Sequence, residues 1–426
     1  MTATSPTLDA IGANARAAAA ALRRSGTAVR DAVLGRAAEL LVERTPEILA
    51  ANQQDYVEAE AGGMDPSFLD RMLLTADRLA AIAADVRVVQ ALPDPVGEEF
   101  DGRMLPNGLR IARRRVPIGV IASVYESRPN VTVDIGVLCV KSGNVCILRG
   151  GSETLRSNRA LARLLRDACA AAGLPADCVQ LIDDPDRRLV GELLRMRDTV
   201  DVVIPRGGTD LIRRVMDEAT MPVLAMGHAV CHTYVDVAAD VEKATRVVEN
   251  AKCRRTSICN ALDTLLVHRD IAERFLPRIA ERFAARGVEM RCDPTALPIV
   301  ERAGAAGARV TPARPQDYGY EFLAPIAAVR VVGSADEALE HIARYGSGHS
   351  DAIVTEDYTL AQRFLDEVDA AAVYVNASTQ FTDGGQFGLG AEIGISSQKL
   401  HARGPMGLRE LTTYKWVVQG DGHTRP

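Results

Sequence analysis

From about residue 110 onward, short apolar runs rich in β-branched residues alternate with amphipathic helical patterns. The first predicted strands lie at 117–125, 145–149, 178–182 and 200–204. A second series begins near residue 233, with predicted strands at 263–267, 327–332, 351–355 and 371–376. Strands that alternate with helices are joined by crossovers and form a mostly parallel sheet. The alternation therefore predicts an α/β fold of two lobes, with ligands in clefts at the carboxyl ends of the strands.

Length and charge exclude several classes of protein. The 426 residues allow about two to three domains. The net charge of −6 and the scarcity of aromatic residues argue against a general nucleic-acid binder. There is no run of about 18 apolar residues, so no membrane span is expected. The N-terminus has alanines interrupted by arginines and predicts an amphipathic helix, not a signal peptide, so we expect a cytoplasmic protein. The apolar face of that helix comprises Leu8, Ile11, Ala15, Ala18 and Leu22.

The tripeptide RGG occurs at two predicted strand-to-helix junctions. Glycine exposes backbone amides at a helix N-terminus, where phosphate binds, and the arginine adds positive charge. Two such turns are compatible with a nucleotide or dinucleotide ligand, and equally with two tight turns that bind nothing. Ser152 is predicted to cap the helix at 152–173. The residues concerned are Arg149, Gly150, Gly151 and Ser152 in the first turn, and Arg206, Gly207 and Gly208 in the second.

The stretch YESRPNVT (125–132) places two polar side chains around a proline. Asn130 can cap the helix that follows, since Pro129 cannot lie inside it. Alternatively, the Asn130 amide donates a hydrogen bond to a developing oxyanion. Arg128 could bind a carboxylate or a phosphate.

Two cysteines in CRRTSICNALDT (253–264) are candidate nucleophiles. Cationic neighbours along the chain favour the thiolate of Cys253. Cys259 instead lies in a polar loop at the edge of the predicted sheet. These arguments leave the choice open, as they do a Cys–His pair with His228, His232 or His349 as the base. The eight cysteines show neither C-x-x-C nor zinc-ligand spacing, so no metal site is predicted.

Several long stretches together resemble the aldehyde dehydrogenase superfamily, most closely its members that reduce gamma-glutamyl phosphate. They include PIGVIASVYESRPNVTVD, KSGNVCILRGGSE, VIPRGGTDLIRRV, NAKCRRTSICNALDTLLVH and YVNASTQFTDGGQFGLGAEIGISSQKLHARGPMGLRELTTYKW. The resemblance runs from about residue 115 to 416. It implies an aldehyde-dehydrogenase-like fold of two parallel-sheet α/β lobes with a small oligomerisation element.

The resemblance also implies a domain layout. A cofactor-binding lobe covers 1–232, with a β-hairpin near 110–128 that serves oligomerisation. A catalytic lobe with the nucleophilic cysteine covers 233–387. Residues 388–426 return to the cofactor lobe and end in a C-terminal oligomerisation segment, so a homo-oligomer is expected.

Individual site residues follow from the same resemblance. The nucleophile precedes Asn-Ala and is therefore Cys259, and Asn130 matches the oxyanion asparagine. Gly207 and Gly208 match the turn beneath the cofactor pyrophosphate. Arg149 falls where a lysine lies near the adenosine ribose, and Glu321 where a glutamate binds the nicotinamide ribose. Candidates for holding the substrate or its phosphate are Arg128, Asn260, Lys399, His401 and Arg403.

The implied activity is NADPH-dependent reduction of an acyl phosphate, L-glutamate 5-phosphate, through a cysteine thioester. The resemblance favours NADPH over NADH, and Arg149 could meet a 2′-phosphate. Superfamily members that make free acids carry a glutamate base, whereas this chain reads AlaMetGlyHis at 225–228. The missing carboxylate favours phosphate over water as the acyl partner. A proline is usual where this chain has Thr256, which leaves substrate geometry open.

Three other functions remain alternatives. They are a hydrolytic aldehyde dehydrogenase, a cysteine hydrolase or transferase, and a catalytically silent partner of the glutamate 5-kinase that supplies the acyl phosphate. No nucleic-acid or membrane partner is expected.

Overall fold

The computed structural model describes residues 7–425, so the first six residues of the predicted cofactor lobe and Pro426 lie outside it. The chain divides into two compact units. The first comprises the chain to Met226, Gly388–Gly394 and the chain from Met406. The second comprises Gly227–Phe387 and Ile395–Pro405. The division differs from the predicted domain boundaries in two places. Residues 227–232 group with the second unit rather than with the cofactor lobe, and 395–405 group with the second unit rather than with the rest of 388–426.

The first unit contains nine of the described α-helices and seven of the described strands. Its helices are α1 Leu8–Leu22, α2 Thr27–Glu43, α3 Thr45–Ala61, α4 Pro66–Met72, α5 Ala76–Ala91, α6 Asn130–Lys141, α7 Leu155–Ala171, α8 Arg188–Leu193 and α9 Thr209–Glu218. Its strands are β1 Glu99–Met104, β2 Arg110–Pro117, β3 Val120–Tyr125, β4 Val145–Arg149, β5 Val179–Leu181, β6 Val202–Arg206 and, at the end of the chain, β16 Thr412–Gln419.

A four-stranded sheet forms the centre of the first unit, in the order β5-β4-β3-β6 with all strands parallel. Every residue of β3 and β4 is buried, as expected for strands covered on both faces. The parallel order brings the carboxyl ends of β3, β4 and β6 to one edge. The residues that follow these strands are therefore neighbours in space. Residues 221–225 form no strand, and only an isolated parallel bridge joins Val223 to Val203.

A separate antiparallel sheet pairs β1 with β2 and β2 with β16. The predicted hairpin near 110–128 is corrected here, because the hairpin spans Glu99–Pro117 and β3 belongs to the parallel sheet. Gly119 lies between β2 and β3 and has a positive φ of 135°, where the chain turns from one sheet into the other. A side chain there would clash with the Asp201 carboxylate.

The second unit contains a seven-stranded parallel sheet in the order β10-β9-β11-β8-β7-β12-β13. These strands are β7 Cys231–Val235, β8 Leu262–His268, β9 Glu289–Cys292, β10 Arg309–Pro312, β11 Ile326–Val332, β12 Ser350–Val354 and β13 Ala372–Val375. Its helices are α10 Val241–Cys253, α11 Arg269–Ala285, α12 Ala296–Ala303, α13 Ala335–Tyr345 and α14 Tyr358–Glu367. The short strands β14 Ile395–Ser396 and β15 Gly404–Pro405 pair antiparallel.

Two apolar clusters cover this sheet. One joins α10, α11 and α12 to strand residues such as Leu265 and Val329, and the other joins α13 and α14 to residues such as Leu266 and Ile353. Leu265 and Leu266 are neighbours in β8 and belong to different clusters, because successive side chains of a strand point to opposite faces. Among the described residues, no helix is long and apolar enough to cross a membrane.

Candidate active site

Asn130 opens helix α6 directly after Pro129, and its side chain does not cap the helix. Its amide nitrogen Nδ2 instead donates a hydrogen bond to Asp134 Oδ2 at 2.9 Å. Burial raises the pKa of Asp134 to about 6, although the Asn130 N–H and the nearby Arg206 guanidinium oppose that shift. The structure thus rejects the capping interpretation of Asn130 and shows a polar pair that sequence reasoning missed.

The loop before Asn130 is held in an uncommon conformation. Ser127 has φ of 42° and is buried, which few residues other than glycine adopt. Glu153 Oε1 accepts hydrogen bonds from the Ser127 backbone N–H at 3.1 Å and from its hydroxyl at 2.7 Å. Glu153 belongs to the first RGG turn, so the YESRPN loop and that turn are fixed together. Arg128 is exposed in this loop.

Arg149 ends strand β4 and is buried. Its guanidinium donates to the carbonyl oxygens of Gly150 and, at 3.1 Å, Pro185, and burial lowers its pKa. Its Nε is buried without a partner. Ser152 is not the predicted cap, because a short 3₁₀ turn, Ser152–Thr154, precedes α7, and no side chain caps that helix.

The second RGG turn leads into α9, and Gly208 is the N-cap residue of that helix. The Gly208 N–H donates to Glu126 Oε2 at 2.8 Å. A Cβ on Gly207 would lie 2.5 Å from the same oxygen. The turn therefore accommodates an anionic oxygen close to its backbone. Arg206 contacts Met226 Sδ at 3.4 Å.

In the second unit, Cys259 lies in the turn before β8 and is half-buried. The Cys231 thiol donates to the Cys259 carbonyl oxygen at 3.2 Å. Asn260 Nδ2 donates to the carbonyl oxygens of Gln380 and Thr382 at 3.3 and 3.0 Å, and the Thr379 hydroxyl donates to the Asn260 carbonyl at 2.7 Å. These bonds fix the nucleophile turn to the 379–382 segment.

Asn260 was predicted to bind substrate, but its amide nitrogen donates hydrogen bonds to the backbone of the 379–382 segment. Its Oδ1 is buried and has no partner. The amide therefore has a structural role, and only the oxygen is left for another ligand.

Cys253 ends helix α10 and lines an open cavity with three arginines. Burial nevertheless raises the pKa of Cys253 to about 11, and the negative charge of Glu249 raises it further. Together these effects outweigh the positive charges of Arg286 and Lys252, which lower the pKa. The expectation that cationic neighbours activate this thiol is therefore wrong. The lining residues of the cavity are Arg246, Glu249, Asn250, Cys253, Arg254 and Arg286.

The histidines considered as bases have other surroundings. His349 Nδ1 lies 3.8 Å from the Cys231 sulfur and 2.8 Å from the Ser350 hydroxyl, and burial lowers the pKa of His349 to about 4. His232 Nδ1 lies 3.0 Å from an Asp351 carboxylate oxygen. His228 is exposed. The thiol that His349 contacts is that of Cys231, which does not support a Cys–His pair at Cys259.

Glu321 precedes strand β11. Burial raises the pKa of Glu321 to about 7, although a hydrogen bond from the Ala229 backbone N–H acts in the opposite direction. The neighbouring Phe322 N–H donates to Asp263 Oδ1 at 3.1 Å. Asp263 thus connects the predicted cofactor-binding loop to β8. The segment at 311–325, which includes Glu321 and precedes β11, contains the end of β10 and a 3₁₀ turn, Pro315–Gly319.

The basic loop at 399–403 does not present free cations. Lys399 and Arg403 both form ion pairs with Asp369, the latter at 2.7 Å. The hydrogen bonds from Lys399 and Arg403 lower the pKa of Asp369. His401 is exposed with φ of 67°. The structure adds no support to the prediction that Lys399 and Arg403 bind substrate, because both cations already pair with Asp369.

The predicted site residues form one group in each unit. In the first unit, they lie at or just after the carboxyl ends of β3, β4 and β6, and they are Arg128, Asn130, Arg149–Ser152 and Arg206–Gly208. In the second unit, Cys259 and Asn260 precede β8 and Glu321 precedes β11. No group of three or more His, Cys, Asp or Glu side chains that could hold a metal is found within residues 7–425.

The sequence profile of the aldehyde dehydrogenase family matches residues 1–303 and 316–417 of this chain. The chain belongs to the aldehyde dehydrogenase family. Among curated relatives of this family member, the gamma-glutamyl phosphate reductase of Dehalococcoides mccartyi is 56% identical over 411 residues, which is 96% of each chain. That of Roseiflexus castenholzii is 55% identical over 420 residues, 98% of this chain and 99% of its own.

A crystal structure shows the same likeness. The gamma-glutamyl phosphate reductase of Thermotoga maritima matches this aldehyde dehydrogenase family member with a TM-score of 0.94 and 48% identity. The match covers 98% of this chain and 99% of that chain. The predicted resemblance and the predicted fold of two parallel-sheet α/β lobes with a small additional sheet are confirmed.

Proposed function

We propose that this protein reduces L-glutamate 5-phosphate to L-glutamate 5-semialdehyde and phosphate, with NADPH as the reductant. The observation that carries the proposal is its full-length likeness, at 56% identity, to proteins named gamma-glutamyl phosphate reductase. The half-buried Cys259 on a fixed turn supports it, since a nucleophile needs both access and a fixed position.

The first chemical step uses residues of this chain alone. The Cys259 thiolate attacks the acyl carbon of the acyl phosphate, and a tetrahedral oxyanion forms. The Asn130 amide and the Cys259 backbone N–H donate hydrogen bonds to that oxygen. Phosphate then leaves with the bonding electron pair, and a thioester remains on Cys259.

The cofactor residues are compatible with a phosphate-bearing dinucleotide. The Gly207–Gly208 turn already accommodates an anionic oxygen of Glu126, which a pyrophosphate would replace. The unpartnered Nε of buried Arg149 is a donor near the position expected for the adenosine ribose, and Glu321 would accept from the nicotinamide ribose. When bound, NADPH supplies the hydride that reduces the thioester. The Asn130 amide then holds the same oxygen until the Cys259 thiolate departs and leaves the aldehyde.

The absence of a carboxylate at 225–228 favours this reaction over the hydrolytic one. The segment reads Ala-Met-Gly-His and therefore offers no carboxylate to activate a water molecule. The thioester would then persist until phosphate attacks it in the oxidative direction. By the same likeness to the curated relatives, we place the reaction second in proline biosynthesis from glutamate, in the cytoplasm. Assembly would use the antiparallel sheet of β1, β2 and β16, and the glutamate 5-kinase is a possible partner.

The test is NADP⁺ reduction with glutamate 5-semialdehyde, with and without inorganic phosphate. Wild type and Cys253→Ala should turn over only with phosphate, and Cys259→Ala should not turn over at all. Full activity without phosphate would instead indicate the hydrolytic reaction. If Cys259→Ala stays active while Cys253→Ala is inactive, the nucleophile has been misassigned. Kinase binding without NADPH binding would favour the silent partner.

A further inference from the structure

We propose that Asp134 is a positioning residue that fixes the Asn130 amide with its nitrogen toward the reacting oxygen. The inference rests on the oxyanion role of Asn130 in the proposed function. The two residues are one helical turn apart at the start of α6, with Asn130 Nδ2 2.9 Å from Asp134 Oδ2. Residues four apart on a helix face each other, so the contact is compatible with the regular helix.

The chemistry of the pair decides the orientation of the amide. An ionised carboxylate only accepts hydrogen bonds, whereas an asparagine amide has a donor and an acceptor end. Turning the Asn130 amide by half a turn would bring its Oδ1 against the Asp134 carboxylate, where the two oxygens repel. The nitrogen carries two hydrogens, so one N–H remains after the bond to Asp134. Asp134 thus selects the rotamer that offers a donor.

Other contacts restrain what precedes Asn130 but leave its side-chain rotation free. The Ser127 backbone is fixed by Glu153, and Pro129 restricts the chain directly before Asn130. The Asp134 bond is the contact that acts on the amide itself. The charged groups that act on Asp134 are Arg206 at the end of β6 and Asp85 on α5. Arg206 favours the ionised acceptor that the orientation requires.

Variants of Asp134 and Asn130 distinguish a positioning role of Asp134 from a purely structural one. Asp134→Leu removes the acceptor and should lower kcat about 10-fold, because a misoriented amide loses part of its contact with the transition state, with KM for NADP⁺ unchanged. Asp134→Asn keeps an acceptor oxygen and should retain kcat within about 3-fold. Asn130→Ala should lower kcat by about 100-fold or more. Asn130→Ala combined with Asp134→Leu should be no slower than Asn130→Ala alone, because Asp134 acts through Asn130.

The assay is phosphate-dependent NADP⁺ reduction, with the urea unfolding midpoint of each variant as the control for folding and Asp85→Asn as the control for a neighbouring carboxylate. If Asp134→Leu does not fold, Asp134→Ala takes its place with the same expected values. Wild-type kcat in Asn130→Ala would overturn the oxyanion role in the proposed function. A slow Asn130→Ala with a fully active Asp134→Leu would overturn the positioning role alone. Additive losses in the double variant would also overturn it.

Discussion

The ammonium group of Lys252 lies 3.9 Å from Asp263 Oδ1, and both side chains are buried. The Lys252 nitrogen has no hydrogen-bond partner and lies 5.9 Å from the centre of the Phe322 ring. Burial lowers the pKa of Lys252 and raises that of Asp263 to about 6. Asp263 in turn accepts the Phe322 N–H, so this pair supports the loop that carries Glu321.

Lys252→Met should destabilise the protein by about 3–5 kcal/mol, because it leaves the Asp263 charge buried without its counter-charge. Urea unfolding at pH 7 measures the loss. Lys243→Met is the matched control, since Lys243 pairs with Glu356 on the surface, and it should cost less than about 1 kcal/mol. Equal losses in the two variants would show that Lys252 does not compensate Asp263.

The KM for NADPH should depend on pH near 7 through Glu321, whose pKa is raised to about 7 by burial. Only the ionised carboxylate accepts from both ribose hydroxyls, so KM should rise as the pH falls from 8 to 6. In Glu321→Gln the KM should be higher and nearly independent of pH. Glu367→Gln on the surface of α14 should keep the wild-type slope. A flat wild-type profile would rule out Glu321 as a ribose ligand.

Gly119→Ala should lower the free energy of unfolding by about 1–3 kcal/mol, because an L side chain at φ of 135° is strained. The added Cβ would also displace Asp201, which pairs with Arg16 at 2.7 Å and accepts the Val120 N–H at 2.7 Å. Gly26→Ala, in open space with a negative φ, should cost less than half as much. Thermal unfolding of the three proteins would show the order.

Lys399→Ala and Arg403→Ala should change the KM for semialdehyde less than about 2-fold, because both cations already pair with Asp369. Arg128→Ala should raise it about 10-fold, as expected for the loss of a hydrogen bond to a charged group. If Lys399→Ala raises KM as much as Arg128→Ala does, the 399–403 loop binds substrate after all.

Iodoacetamide at neutral pH should label Cys259 before Cys253, because the thiolate is the reactive form and the pKa of Cys253 is raised to about 11. Mass spectrometry of partly inactivated enzyme should show loss of activity in step with the modification of Cys259. Cys253→Ala should be inactivated at the wild-type rate. Activity lost in step with Cys253 labelling would contradict both the pKa and the assigned nucleophile.

Some of the candidate site was predictable because it depends on local sequence. Helix α6, the two RGG turns and the position of Cys259 before β8 follow from periodicity and turn residues. The contact of Asn130 with Asp134 had a readable signal as well, since the two stand four residues apart at the start of a predicted helix. The alternative that Asn130 caps this helix was wrong because Pro129 occupies the N-cap position and Asn130 is already the first helical residue.

The sequence by itself determined the succession of strands and helices, the parallel sheets and the family, because these depend on local patterns and long motifs. Only the tertiary structure decided the chemical state of individual side chains. Cys253 lies beside Lys252 and Arg254 in the chain, yet burial and Glu249 keep its thiol protonated. A pKa or an ion pair depends on which distant groups surround a side chain and on how much water is removed from it, and neither can be read along the chain.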